Sequence, residues 1–173
     1  DINFCPGTCA GANTTTVATG TDPSPTTIAP SASIVDGGSF TLQTSAGTDS
    51  VTAMTASIGT GTAYTYVSEV RITSNDGSTT YFSAQTNPGA NTVNFSGGTP
   101  IPVTTSATQF KIRITPKTHA NMAAVPGASY ALYPYAFSVT TTNSQAGGDS
   151  NSNALTIDNA SPNGATSTSG SAG

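Results

Sequence analysis

Across residues 109–115 apolar and charged side chains alternate without a break: Phe110, Ile112 and Ile114 on one side, Lys111 and Arg113 on the other. A period of two commits the segment to a half-buried strand, because successive side chains of an extended chain point to opposite faces. The same signature recurs in shorter pieces. Phe40 and Leu42 alternate within 39–44, and over 64–73 Tyr64, Tyr66, Val70 and Ile72 share one face with Glu69 and Arg71 opposite. Asn75-Asp76-Gly77 is a hairpin turn that joins this strand to 79–84. Val51 and Met54 fall out of phase within 50–58, which predicts a bulge. Residues 26–34, interrupted by Pro30, read as an edge strand, since proline cannot donate to a ladder. Residues 91–95, 101–105, 130–142 (broken at Pro134) and 154–158 bring the total to about nine short strands.

Composition agrees. Thr and Ser supply 33 and 22 of the 173 residues, whereas Leu, Glu and Lys are scarce. That is strand composition and not helix composition. The expected fold is all-β: an immunoglobulin-like antiparallel β-sandwich of about 7–9 strands. The Cys…Trp…Cys core of antibody domains is missing, so the likeness is one of architecture. The sandwich is expected over 26–160, with an extended leader over 1–25 and a Ser/Gly-rich tail over 161–173. Residues 119–124 are expected to hold a short helical turn, and 147–153 a polar turn.

Four basic residues in the whole chain cannot build the positive footprint that a phosphate backbone requires, which excludes nucleic acid as a partner. No apolar run approaches the roughly 20 residues of a membrane-spanning helix. The first residue is Asp1, the charge is low, and Cys5 and Cys9 are close together. These features fit an exported chain after signal cleavage, located outside the cell or on its surface. Asn13, Asn94 and Asn159 each stand in a glycosylation sequon.

Cys5-Pro6-Gly7-Thr8-Cys9 has one residue too many for a redox pair, and Ala10 stands where haem attachment would need a histidine. One His and no further Cys cannot complete a zinc site. A small disulfide ring turned by Pro6-Gly7 remains, with a bridge between neighbouring subunits as the alternative.

The stretch from Phe110 through Thr115-Pro116-Lys117-Thr118-His119 to Met122 is followed by Pro126-Gly127-Ala128-Ser129-Tyr130. The closing run is Thr156-Ile157-Asp158-Asn159-Ala160-Ser161-Pro162. Together they resemble the tandem immunoglobulin-like β-sandwich repeats of large secreted bacterial surface proteins, here in a single copy. The resemblance spans roughly residues 20–162 and implies an exported, structural setting without catalytic residues.

Candidate chemistry is sparse. His119 is the one imidazole, and no nucleophile motif frames it, so it reads as a loop histidine and the chain as a non-enzyme with no cofactor. The turns at 75–78 and 149–153 offer oxygen ligands for calcium but lack the charge of a strong site. Tyr133 and Tyr135 flank Pro134 and are candidates for a sugar platform. With only twelve charged residues, the chain has little means of blocking edge-to-edge strand pairing. The functional expectation is a secreted subunit that polymerises into an extracellular filament, its partners being other copies of itself. In that expectation the leader adds a strand to a neighbouring copy, and Ile2, Phe4 and Val17 fill pockets there. The alternative is a cell-surface adhesin or carbohydrate-binding module that takes surface glycans.

Overall fold

The computed structural model describes residues 13–123 and 128–159. They form β1 (Thr14–Thr19), β2 (Thr26–Ile28), β3 (Val35–Thr44), β4 (Asp49–Ser57), β5 (Val67–Ser74) and β6 (Thr80–Thr86). Then follow β7 (Thr92–Val103), β8 (Thr108–Pro116), β9 (Ser129–Leu132), β10 (Tyr135–Thr140), β11 (Ser144–Gly148) and β12 (Leu155–Asp158). Single 3-10 turns occupy Ala63–Tyr66 and His119–Asn121. The fold is all-β.

A six-stranded sheet runs in the order β11-β1-β3-β8-β5-β6, and two three-stranded sheets run β10-β4-β7 and β2-β12-β9. Their buried faces share one core, which makes the molecule a β-sandwich. The alternating residues supply that core: Phe40 and Leu42 on β3, Ile112 and Ile114 on β8, and Val70 and Ile72 on β5 are fully buried. Phe110 stacks on Phe40 with centroids 5.7 Å apart and meets Tyr81 edge-on at 5.6 Å. Leu132, Leu155 and Ile157 bring the sheet of β9 and β12 into the same cluster.

Several expected features are present. β5 and β6 pair as the hairpin around Asn75-Asp76-Gly77, with Gly77 at φ +74. The register of β4 against β7 shifts between Val51 and Ala53, where the bulge was expected. β2 lies at the edge of its sheet.

The structure corrects others. Among the described residues there are twelve strands in place of about nine. The sheets are not purely antiparallel, because β1 runs parallel to β11 and β2 parallel to β12. The leader boundary at residue 25 moves as well: β1 is an inner strand of the six-stranded sheet, hydrogen-bonded to β3 and β11, and belongs to the sandwich. Its Thr-rich sequence has no alternating apolar pattern, so only Val17 signalled burial. Tyr64 and Tyr66 sit in the 3-10 turn ahead of β5 and not on the strand.

The pieces 91–95 and 101–105 are parts of β7, which bends at Gly97 and Gly98, both at positive φ. A Cβ on Gly98 would lie 2.8 Å from the backbone of Phe82. The expected strand at 130–142 is two strands in different sheets, β9 and β10, because Pro134 carries the chain across.

The two parallel pairs form a continuous strap. Residues 14–28 and 144–157 run side by side in the same direction, first in the six-stranded sheet and then in the sheet of β2. The connections between travel together: Ser150 N–H donates to Thr19 Oγ1, Asn153 Nδ2 to the Pro23 carbonyl, and Thr26 N–H to the Ala154 carbonyl.

Candidate functional site

The six-stranded sheet carries five charged residues, all on three of its four inner strands, β3, β8 and β5. Asp36 on β3 receives Lys111 Nζ at 2.6 Å and Arg113 Nε at 2.8 Å from β8. Arg71 reaches Glu69 along β5 at 2.6 Å. Arg71 and Arg113 are direct register partners, like charges that Asp36 and Glu69 neutralise from either side. The alternation in the sequence put Lys111 and Arg113, and likewise Glu69 and Arg71, on the face opposite the apolar residues. Asp36 escaped notice because a bulge between Asp36 and Gly38 breaks the alternation that would have put it on that face.

The other three strands differ. β6 (TYFSAQT), β11 (SQAGG) and β1 (TTTVAT) contain no charge. β6 and β11 are the two edges of the sheet, each in a backbone ladder with a single strand, and the Gln145 side chain of β11 also accepts from the Val139 N–H of β10. Soluble β-proteins commonly protect such edges with charged side chains, lysine above all. Here the charges occupy the centre and the edges have none. β7, by contrast, has Pro100 and Pro102 on an edge strand.

One buried carboxylate ties the strap to the sandwich. Asp49, at the start of β4, is 8% exposed. Its Oδ2 accepts from Thr15 Oγ1 at 2.6 Å, and its Oδ1 from Thr142 Oγ1 at 2.7 Å and Ser50 N–H at 2.8 Å. Asn143 Nδ2 extends the network to Thr44 Oγ1 at 3.0 Å. Burial opposes ionisation of Asp49, but the hydroxyls of Thr15 and Thr142 and the Ser50 N–H outweigh it and hold the carboxyl far below its usual range. Asp149, where β11 meets the next connection, shows the opposite balance. Burial and the nearby charge of Asp22 push it up to about 6 against the donors of Ala136 and Ser150.

The sequence-derived candidates fall as follows. Ile2, Phe4, Cys5 and Cys9 lie outside the described residues. Val17, expected to fill a pocket of another copy, fills its own chain's core at 1% exposure, which corrects that assignment. Asn13 and Asn94 are exposed, whereas Asn159 is 2% exposed and cannot present its side chain to a glycosylating enzyme in the folded protein.

His119 opens a 3-10 turn, its carbonyl accepting from Met122 N–H. The oxygens considered for calcium serve the chain's own donors. Asp76 accepts from Ser74 Oγ and Ser78, and Asn151 Oδ1 accepts from the Asn153 N–H. Tyr133 is 37% exposed, and Phe137, which the sequence reading passed over, is 61% exposed beside a register shift in β10. Among the described residues no helix is long and apolar enough to cross a membrane.

The fold and this surface together define an all-β sandwich with charge-free sheet edges. The chain matches no known family model and no curated protein.

Proposed function

We propose that the protein is a secreted structural subunit that assembles into an extracellular filament by β-strand addition between copies. The observation that supports this most strongly is the inverted charge layout of the six-stranded sheet, with both edges, β6 and β11, free of charge. Main-chain groups on such an edge are a template for another strand. Val17 is engaged within its own sandwich, so the donor in this reading is the chain ahead of Thr14, where Ile2 and Phe4 alternate. Fully extended, those thirteen residues span about 40 Å, enough to reach along a neighbour's edge. A contact of this kind is head-to-tail, so it need not close and can propagate into a helical fibre.

Negative-stain microscopy and light scattering on the full chain and on a variant lacking residues 1–12 test the reading. Fibres from the full chain and a folded monomer from the truncated one are expected. A full chain that stays monomeric at high concentration, or a truncated chain that still forms fibres, removes the donor role. Ser83→Lys at the β6 edge should suppress assembly without unfolding the subunit, since its side chain is exposed.

A further inference from the structure

A cleft of about 590 Å³ opens beside the C-terminal end of β8, lined by Ser31, Ser68, Asn87, Lys117, Thr118 and Asn121 among others. Three independent features converge on it. First, among the described residues only three non-glycine residues have left-handed φ, and two of them, Ser31 (+65) and Asn87 (+46), stand in its wall. Such conformations are strained for L-residues, persist only where the surroundings hold them, and gather at ligand sites. Both are held here: Ser31 N–H donates to the Lys117 carbonyl at 2.9 Å and Asn87 N–H to the Ser68 carbonyl at 2.7 Å.

Second, three of the protein's four basic side chains pair with carboxylates, and Lys117 alone has no acidic partner among the described residues. Its backbone is fixed from both sides, by Tyr66 and Ser31, so the half-buried side chain is anchored at the cleft. Third, the side chains of Ser31, Asn87, Thr118 and Asn121 are exposed and make no hydrogen bond within the described residues, which leaves their donors and acceptors available to a ligand. Ser68 Oγ gives its proton to the Thr115 and Pro116 carbonyls, which leaves lone pairs to accept.

The lining chemistry narrows the ligand. Ala32 and Pro116 are the two apolar residues among those lining the cleft, and the remainder carry hydroxyls, carboxamides or an ammonium. One ammonium matches a single negative charge and not a polyphosphate. Unengaged hydroxyls and carboxamides match a ligand rich in hydroxyls, and the volume falls within the range of small-ligand sites.

We propose that this cleft binds one acidic sugar residue of a surface or matrix glycan, with Lys117 pairing to its carboxylate and Asn87 and Asn121 hydrogen-bonding its hydroxyls. The site is separate from Tyr133 and Tyr135 and does not depend on the assembly reading.

Ligand-observed NMR or calorimetry on the full chain at low salt tests it, with glucuronic acid and N-acetylneuraminic acid as probes and glucose and acetate as controls. At least one acidic sugar should bind saturably, with glucose and acetate each at least about tenfold weaker, the loss expected when a charged or a hydroxyl contact is missing. Lys117→Ala should weaken binding by a similar factor and Lys117→Arg should retain most of it. Asn87→Gly, which keeps the left-handed backbone, should weaken binding while the thermal melt stays in place. Failure of both acidic sugars to bind, equal binding of glucose or acetate, or an unchanged affinity in a folded Lys117→Ala protein overturns the proposal.

Discussion

The inner strands β3, β8 and β5 and the parallel strap of β1–β2 with β11–β12 belong to one sandwich but are held by different forces. The inner strands bury an unbroken apolar face and carry their ion pairs on the other. The strap contributes few apolar side chains and is fastened by hydroxyls, carboxamides and two aspartates. Apolar burial is tolerant of small geometric change, whereas a buried polar network is all-or-none: satisfied it fixes one arrangement, and with a member removed it leaves costly unpaired groups. The strap should therefore be the less stable and more specific part.

Phe40→Ala strikes the inner strands and should have the largest effect, about 3–5 kcal/mol of lost stability in urea unfolding, because Phe110 loses its stacking partner and a cavity opens. Asp49→Ala should cost about 2–3 kcal/mol, since Thr15, Thr142 and Ser50 lose their shared acceptor. Hydrogen exchange separates the two regions. In the Asp49 variant the β1 amides should lose protection while those of β8 keep it. Equal loss in both would mean that strap and centre open as one unit.

The strap should also respond to pH. Asp149 has its folded pKa raised from 3.8 to about 6, so the fold favours its protonated form. Its contribution is fully present below pH 3.8 and is lost as pH rises through 6. Asp49 is shifted the other way and stays ionised throughout that window. The urea midpoint should therefore fall between pH 4 and pH 7, and Asp149→Asn should flatten the fall. A midpoint that rises over this interval in the wild-type protein would contradict the assignment.

Asp36→Asn should have the smallest effect, about 0.5–1 kcal/mol, because its pairs with Lys111 and Arg113 are partly solvated. A larger loss would show that the like-charged pair of Arg71 and Arg113 depends on it.

What was legible in the sequence divides along the same line. Phe110, Ile112 and Ile114 announced β8, and Asn75-Asp76-Gly77 its neighbouring hairpin, because period-two burial and turn chemistry are local signals. β1 and β11 had no such signal. TTTVAT and SQAGG become strands because each gives the other donors and acceptors across 130 residues of chain, and Asp49 accepts from Thr15 of the first. Contacts of that separation leave no periodic trace. The cleft at Lys117 was equally hidden, since Ser31, Asn87 and Asn121 come from three unrelated turns.

The side-by-side course of β1 has a mechanical consequence. Tension on the chain ahead of Thr14 acts along the strand axis, against β3 on one flank and β11 on the other. The ladder bonds on both flanks are then loaded in shear and resist together instead of parting one at a time. A thread whose links pull on β1 would draw its toughness from this placement, with no need for the subunit to be unusually stable at rest.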